Sequence, residues 1–123
     1  MGPVLLAALL LAGPVAAPPR SGAEQTQLTA LAEALGRAHA LHRLCTGPTD
    51  DLWRSRMGRM METERPELAL RQRLTDGFNA GFADGSKSFP ACSPQSRGAL
   101  QDAELAAARQ ARALANPSSG GRM

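Results

Sequence analysis

Apolar residues recur at three- and four-residue steps along most of this chain, and the rhythm stops wherever Gly, Pro, Ser and Asp gather. From Thr26, a helical face carries Leu28, Leu31, Leu35, Ala38 and then Leu41 or His42, reaching Cys45. The stretch "TGPTDD" ends it: Gly47 and Pro48 stop a helix, and Asp50 or Asp51 can cap the next. A second helix, about 52–64, places Trp53, Met57, Met60 and Met61 on one face and leaves Arg54, Arg56, Arg59 and Glu62 largely outside it. Pro66 suits the first turn of a third helix, whose apolar face runs through Leu70, Leu74, Phe78, Phe82 and Phe89, almost to Cys92. In "CSPQS", Ser93 is an N-cap and Pro94 the first helical residue. The fourth helix, about 94–115, carries Leu100, Ala103, Ala107, Ala111 and Leu114. Residues 18–25 read as a flexible lead-in and 116–123 as a frayed tail. The period-two alternation of strands is missing, as is any internal repeat. The pattern predicts an all-α protein: a small up-down bundle of about four helices, one domain over residues 24–115.

The N-terminus changes the picture of where such a bundle works. "MGPVLLAALLLAGPVAA" is apolar, without a charged side chain, too short and too interrupted by Pro14 for a membrane span. It has the pattern of a secretory signal, with cleavage after Ala17 or Ala23; Pro18 directly after the first site leaves the second at least as favoured. Residues 1–23 are thus assigned to a signal peptide, against the alternative of an uncleaved anchor. The expected location is the periplasm, with no stable membrane span after cleavage. An exported chain with two cysteines, Cys45 and Cys92, is expected to pair them. No C-x-x-C spacing supports a redox or metal pair instead. In an up-down bundle the C-terminal ends of the first and third helices lie at one end, where both cysteines fall. A loop of this size gives about 4 kcal/mol in the chain-entropy model of disulfide stabilisation.

Gly77, Gly81 and Gly85 recur every four residues inside the third helix. Glycine inside a helix costs about 1 kcal/mol against alanine. Close approach of a neighbouring helix would offset that, with the alanine-rich fourth helix as the expected neighbour; a frayed end at Gly85 and a hinge are the alternatives. The membrane G-x-x-x-G reading fails because Asp76, Asp84 and Lys87 lie within the segment.

The landmarks "LGRAHALHRLC", "LWRSRMGRMMETE" and "RQRLTDGFNAGF", followed by a second cysteine and a short helix, resemble an uncharacterised family of small exported alphaproteobacterial proteins, a domain of unknown function. The resemblance covers about residues 31–115 and includes Leu35, His39, Leu41, Leu44, Cys45, Trp53, Arg54, Met57, Glu64, Arg73, Leu74, Phe78, Asn79, Gly81 and Cys92. It implies an exported helical protein with paired cysteines and no established activity. This chain departs from that pattern in having no tyrosine: Ala40 and "ADGSKS" stand where the family tends to carry aromatics.

The formal charge of +3 is small and interleaved with acids, which argues against nucleic acid as a partner. Trp53 beside Arg54 and Arg56 is a candidate partner-binding corner, or else a buried tryptophan covering the bundle end. Asn79 either satisfies a buried group or touches a ligand. His39 and His42 with Met57, Met60 and Met61 form a candidate copper set, against the simpler reading of thioethers filling a core. Glu62, Glu64 and Glu67 around Pro66 are the only acids grouped for acid–base work, and they read as solvated. No G-x-S-x-G, H-E-x-x-H or P-loop is present, so no catalytic residue and no cofactor is assigned. The expected function is a non-catalytic envelope interaction or structural module binding a protein or polymer, with a periplasmic copper-binding protein as the alternative.

Overall fold

The computed structural model describes residues 19–116, so residues 1–18 of the assigned signal peptide and residues 117–123 of the expected tail lie outside the described residues. Four helices follow one another: α1 (Gly22–Thr46), α2 (Leu52–Glu64), α3 (Leu68–Ser88) and α4 (Pro94–Ala115). No strand occurs among the described residues.

The lead-in is not flexible throughout. Ser21 caps α1 through a reciprocal box: its hydroxyl accepts from the Glu24 N–H at 3.1 Å, and the Glu24 carboxylate accepts from the Ser21 N–H at 2.9 Å. Helix therefore starts at Gly22, four residues before the apolar rhythm becomes visible. Asp51 occupies the N-cap of α2 without a side-chain bond; the Asp50 carboxylate accepts from the Leu52 N–H instead. Pro66 lies before α3 rather than in its first turn, because Arg65 ends α2 in a left-handed conformation and Glu67 is the N-cap of α3. Ser93 and Pro94 start α4 as expected, and fully buried Ser96 returns the cap by accepting from the Ser93 N–H.

α1 is the central helix and packs against each of the other three. From Leu31 to Leu41 every residue is buried except Glu33 and Arg37. A helix that is apolar or small nearly all round has to be wrapped by neighbours, so the single amphipathic face expected of it is too narrow a description. Directions follow from the ends. Arg20, just before α1, reaches Glu64 at the end of α2 and the Leu114 carbonyl near the end of α4, so both helices run antiparallel to α1. Cys45 and Cys92 are joined, which sets α3 parallel to α1.

The glycine ridge packs against α1, not α4. A Cβ at Gly81 would stand 2.0 Å from the Glu33 carbonyl oxygen, and one at Gly36 of α1 would stand 2.0 Å from the Phe78 carbonyl oxygen. The two helices thus meet backbone to backbone, each offering a glycine to the other's main chain. The ridge of Leu70, Leu74, Gly77, Gly81 and Gly85 is buried, while Phe78 and Phe82 are only half-buried at its flank. The core gathers Leu28, Leu31 and Leu35 of α1, Trp53 and Met57 of α2, Leu74 of α3, and Ala103, Ala107 and Leu114 of α4. Ala111, placed on that face by its spacing, is exposed.

Candidate functional site

Trp53 is buried, and the Arg56 guanidinium lies over its ring at 4.3 Å from the centroid. The ring anchors α2 to the core and is not offered to a partner; Arg54 and Arg56 alone keep the corner on the surface. Asn79 is exposed, so it does not satisfy a buried group.

The proposed copper set is divided among other tasks. Met57 is buried, and Met60 and Met61 pack partly buried against the core. His42 Nδ1 donates to Asp50 Oδ1 at 3.0 Å. His39 is 4% exposed, with its ring centroid 5.8 Å from that of Phe78 and 5.3 Å from that of Phe82, and its Nδ1 has no hydrogen-bond partner. Burial pushes this imidazole below its ordinary value, helped by the cations Arg43 and Arg54 and weakly opposed by Asp50 and Asp51. Among the described residues no three His, Cys, Asp or Glu side chains stand together as a metal-ligand set.

The three glutamates are also separated in role. Glu64 takes two hydrogen bonds from Arg20, at 2.9 and 3.0 Å. The same guanidinium donates to Glu24 at 3.0 Å and to the Leu114 carbonyl at 3.2 Å. Its charged form is held more firmly than usual, chiefly by Glu64. Glu62 and Glu67 are exposed and line different openings. Arg20 was hidden in the expected lead-in, although "SGAE" carries the S-x-x-E spacing of a capping box and marks the helix start beside it.

What the structure does assemble is an arginine-bearing surface. Arg54, Arg56, Arg59, Arg65 and Arg71 are all exposed, and among the described residues none of them forms an ion pair. The apolar side of α2 is spent on the core, so these side chains occupy its outer side and the turn into α3. Between α2 and the start of α3 lies an open cleft of ≈ 560 Å³ lined by Gly58, Met61, Glu62, Arg65 and Arg71. Sequence spacing could not place Arg71 there, since it belongs to the next helix. A second opening, ≈ 410 Å³, includes the Arg20–Glu64 pair and Leu70. A third, ≈ 390 Å³, lies beside Arg43 and Phe82 at the disulfide end.

No helix among the described residues is long and apolar enough to cross a membrane. Neither the curated proteins nor the solved structures give a match to this chain. A family model described as a protein of unknown function (DUF2385) matches residues 24–117, from the first turn of α1 to just past α4, and the chain belongs to that family.

Proposed function

We propose that this protein is an exported, non-catalytic helical module that binds a protein or polymer of the cell envelope through the outer side of α2. The observation that carries this reading is the unpaired arginine surface: among the described residues, Arg54, Arg56 and Arg59 on α2, Arg65 at its end and Arg71 at the start of α3 are exposed without an acidic partner, while Trp53 and Met57 of α2 are turned into the core. Arginine is enriched in protein interfaces, and its planar fork recognises carboxylate and phosphate groups. The non-catalytic part of the reading is supported by the engagement of Glu64: it shares an opening with Glu67, but its carboxylate is taken up by two hydrogen bonds from Arg20, and Glu62 lies in a different opening. The Cys45–Cys92 disulfide supports an oxidising compartment such as the periplasm.

Within this reading the signal is cut after Ala17. A cut after Ala23 would remove Arg20, which joins α1, α2 and α4, and Ser21, which caps α1. The reading is tested by in-cell crosslinking of the envelope, with the wild-type chain and Arg54→Glu/Arg59→Glu compared. Both positions are exposed and unpaired, so the double variant keeps the fold. A specific partner captured by the wild type and lost from the variant is expected. A partner retained by the variant, or none at all, would remove the reading.

A further inference from the structure

Two residues in the α2–α3 cleft are unfavourable for the local backbone: nothing within 4 Å requires a glycine at Gly58, and Arg65 adopts a left-handed conformation to close the end of α2, its N–H bonding the Met61 carbonyl. Gly58 sits inside α2, where glycine weakens a helix, yet a Cβ there would meet nothing within 4 Å. It differs in this from Gly36 and Gly81, whose hydrogens are demanded by a neighbouring main chain. Arg65 shows the opposite substitution. It holds φ 46°, a left-handed conformation that favours glycine at a helix end, but the position carries an arginine. Glycine stands where a side chain would be better, and a side chain where glycine would be better, on the walls of one cleft. Departures from local preference are expected at functional sites, and these two stand together on one cleft.

We propose that this cleft is a docking site for an extended, carboxylate-bearing peptide segment of a partner protein. The inference rests on the interaction reading above and names the chemistry of its partner. Arg65 and Arg71 present guanidinium forks from the end of α2 and the start of α3, and neither is neutralised by an ion pair among the described residues. Each matches a carboxylate through paired N–H donors. Gly58 lowers one wall so that a peptide main chain can approach the helix backbone. Met61, half-buried, supplies an adaptable apolar floor for an aliphatic stem. Glu62 completes the lining as an acceptor for a peptide N–H, and its charge disfavours a continuous polyphosphate surface in the same place.

The test uses the isotope-labelled, disulfide-bonded protein and two acetylated, amidated pentapeptides, one alternating alanine with glutamate and one alternating alanine with glutamine. The glutamate peptide is expected to shift the amide signals of Gly58, Met61, Arg65 and Arg71, with affinity that falls as salt rises. The glutamine peptide is expected to leave them in place. Arg71→Gln should weaken binding about tenfold, the scale of a lost charge-assisted pair. Gly58→Leu should weaken it similarly while melting no lower than the wild type, which separates lost docking from lost folding. Equal response to both peptides, shifts centred elsewhere on α2, or no response would overturn the proposal. So would binding of phosphatidylglycerol vesicles through these residues with no response to the glutamate peptide. An envelope partner captured in cells although the cleft ignores the peptide would sink only this inference. A cleft that binds the peptide while no cellular partner is captured would support the cleft chemistry and sink the broader reading.

Discussion

Gly36 and Gly81 are the positions where a single methyl group changes most. Each Cβ would fall 2.0 Å from a carbonyl oxygen of the opposite helix, and a backbone oxygen cannot rotate away as a side chain does. Gly81→Ala and Gly36→Ala should each lower stability by about 3 kcal/mol, at the upper end of overpacking costs, in urea unfolding. Gly77→Ala meets ordinary contact distance at Thr29 and should change stability little. Gly58→Ala should raise it by up to about 1 kcal/mol, since only helix propensity is at stake. If Gly81→Ala were as stable as the wild type, the backbone contact between α1 and α3 would be wrong. His39 makes a second residue-scale prediction. Its folded value lies below the ordinary 6.5, so below about that pH the unfolded chain binds a proton that the folded chain does not. Stability should therefore decline as pH falls from 6.5 towards the lowered folded value, and be flat with respect to this group above 6.5. The groups facing it are Arg43 of α1, Arg54 of α2, and Asp50 and Asp51 before α2, while α3 presents Phe78 and Phe82. His39→Leu should remove that slope in unfolding measured from pH 7 to pH 5; an unchanged slope would assign it elsewhere.

The elements are tied together at both ends by different chemistry. At one end, Arg20 bonds to the end of α2, to Glu24 in the first turn of α1 and to a carbonyl near the end of α4. Charge-assisted bonds of this kind, partly shielded from water, contribute more than a surface pair. Arg20→Ala should cost about 2 kcal/mol and fray the N-terminus of α1 first, read as faster amide exchange near Glu24 than in the Leu35 region. At the other end, the disulfide joins residues 47 apart in sequence and fixes α1 beside the connection from α3 to α4. Its loss in Cys45→Ser/Cys92→Ser should cost about 4 kcal/mol on the loop-entropy account. A much smaller loss would mean that α1 and α3 hold their register through the glycine contact alone.

At the scale of the molecule, the bundle is arranged around α1, and the outer helices depend on it more than on one another. That arrangement makes the first residues after any signal structurally costly to remove. If the chain is exported as proposed, N-terminal sequencing of the protein purified from its native host should find a start upstream of Arg20. A start at Glu24 would show that the Arg20 clamp is absent from the working protein, and would overturn its assigned role. The same arrangement turns Trp53 and Met57 of α2 into the core and leaves its arginines outward, which concentrates exposed guanidinium groups on α2 and the turn into α3.

Helix number and approximate helix limits were determined by the sequence itself, because they depend on local spacing, capping groups and breakers; the partnership of Cys45 with Cys92 was legible because the chain has only two cysteines. The Ser93–Pro94 start of α4 is the clearest case: N-cap, first-turn proline and returning Ser96 all lie within four residues. Residues 20–25 show where that reasoning fell short, since the capping box was present in the letters while the apolar rhythm began later. The neighbours of each face were decided by tertiary structure. Periodicity assigns Phe78 and Phe82 to an apolar side, but it cannot say that the glycines beside them are the more deeply buried ridge, or that α1 rather than α4 fills it. Trp53 is likewise recognisable as an anchor, whereas its direction into the core depends on α2 packing against α1. The α2–α3 cleft brings Gly58 and Arg71 together across a turn and two helices. Spacing along a chain reports which residues share a helix face; which faces meet depends on the shapes and close approaches of several helices at once, and here two glycines on different helices decide it.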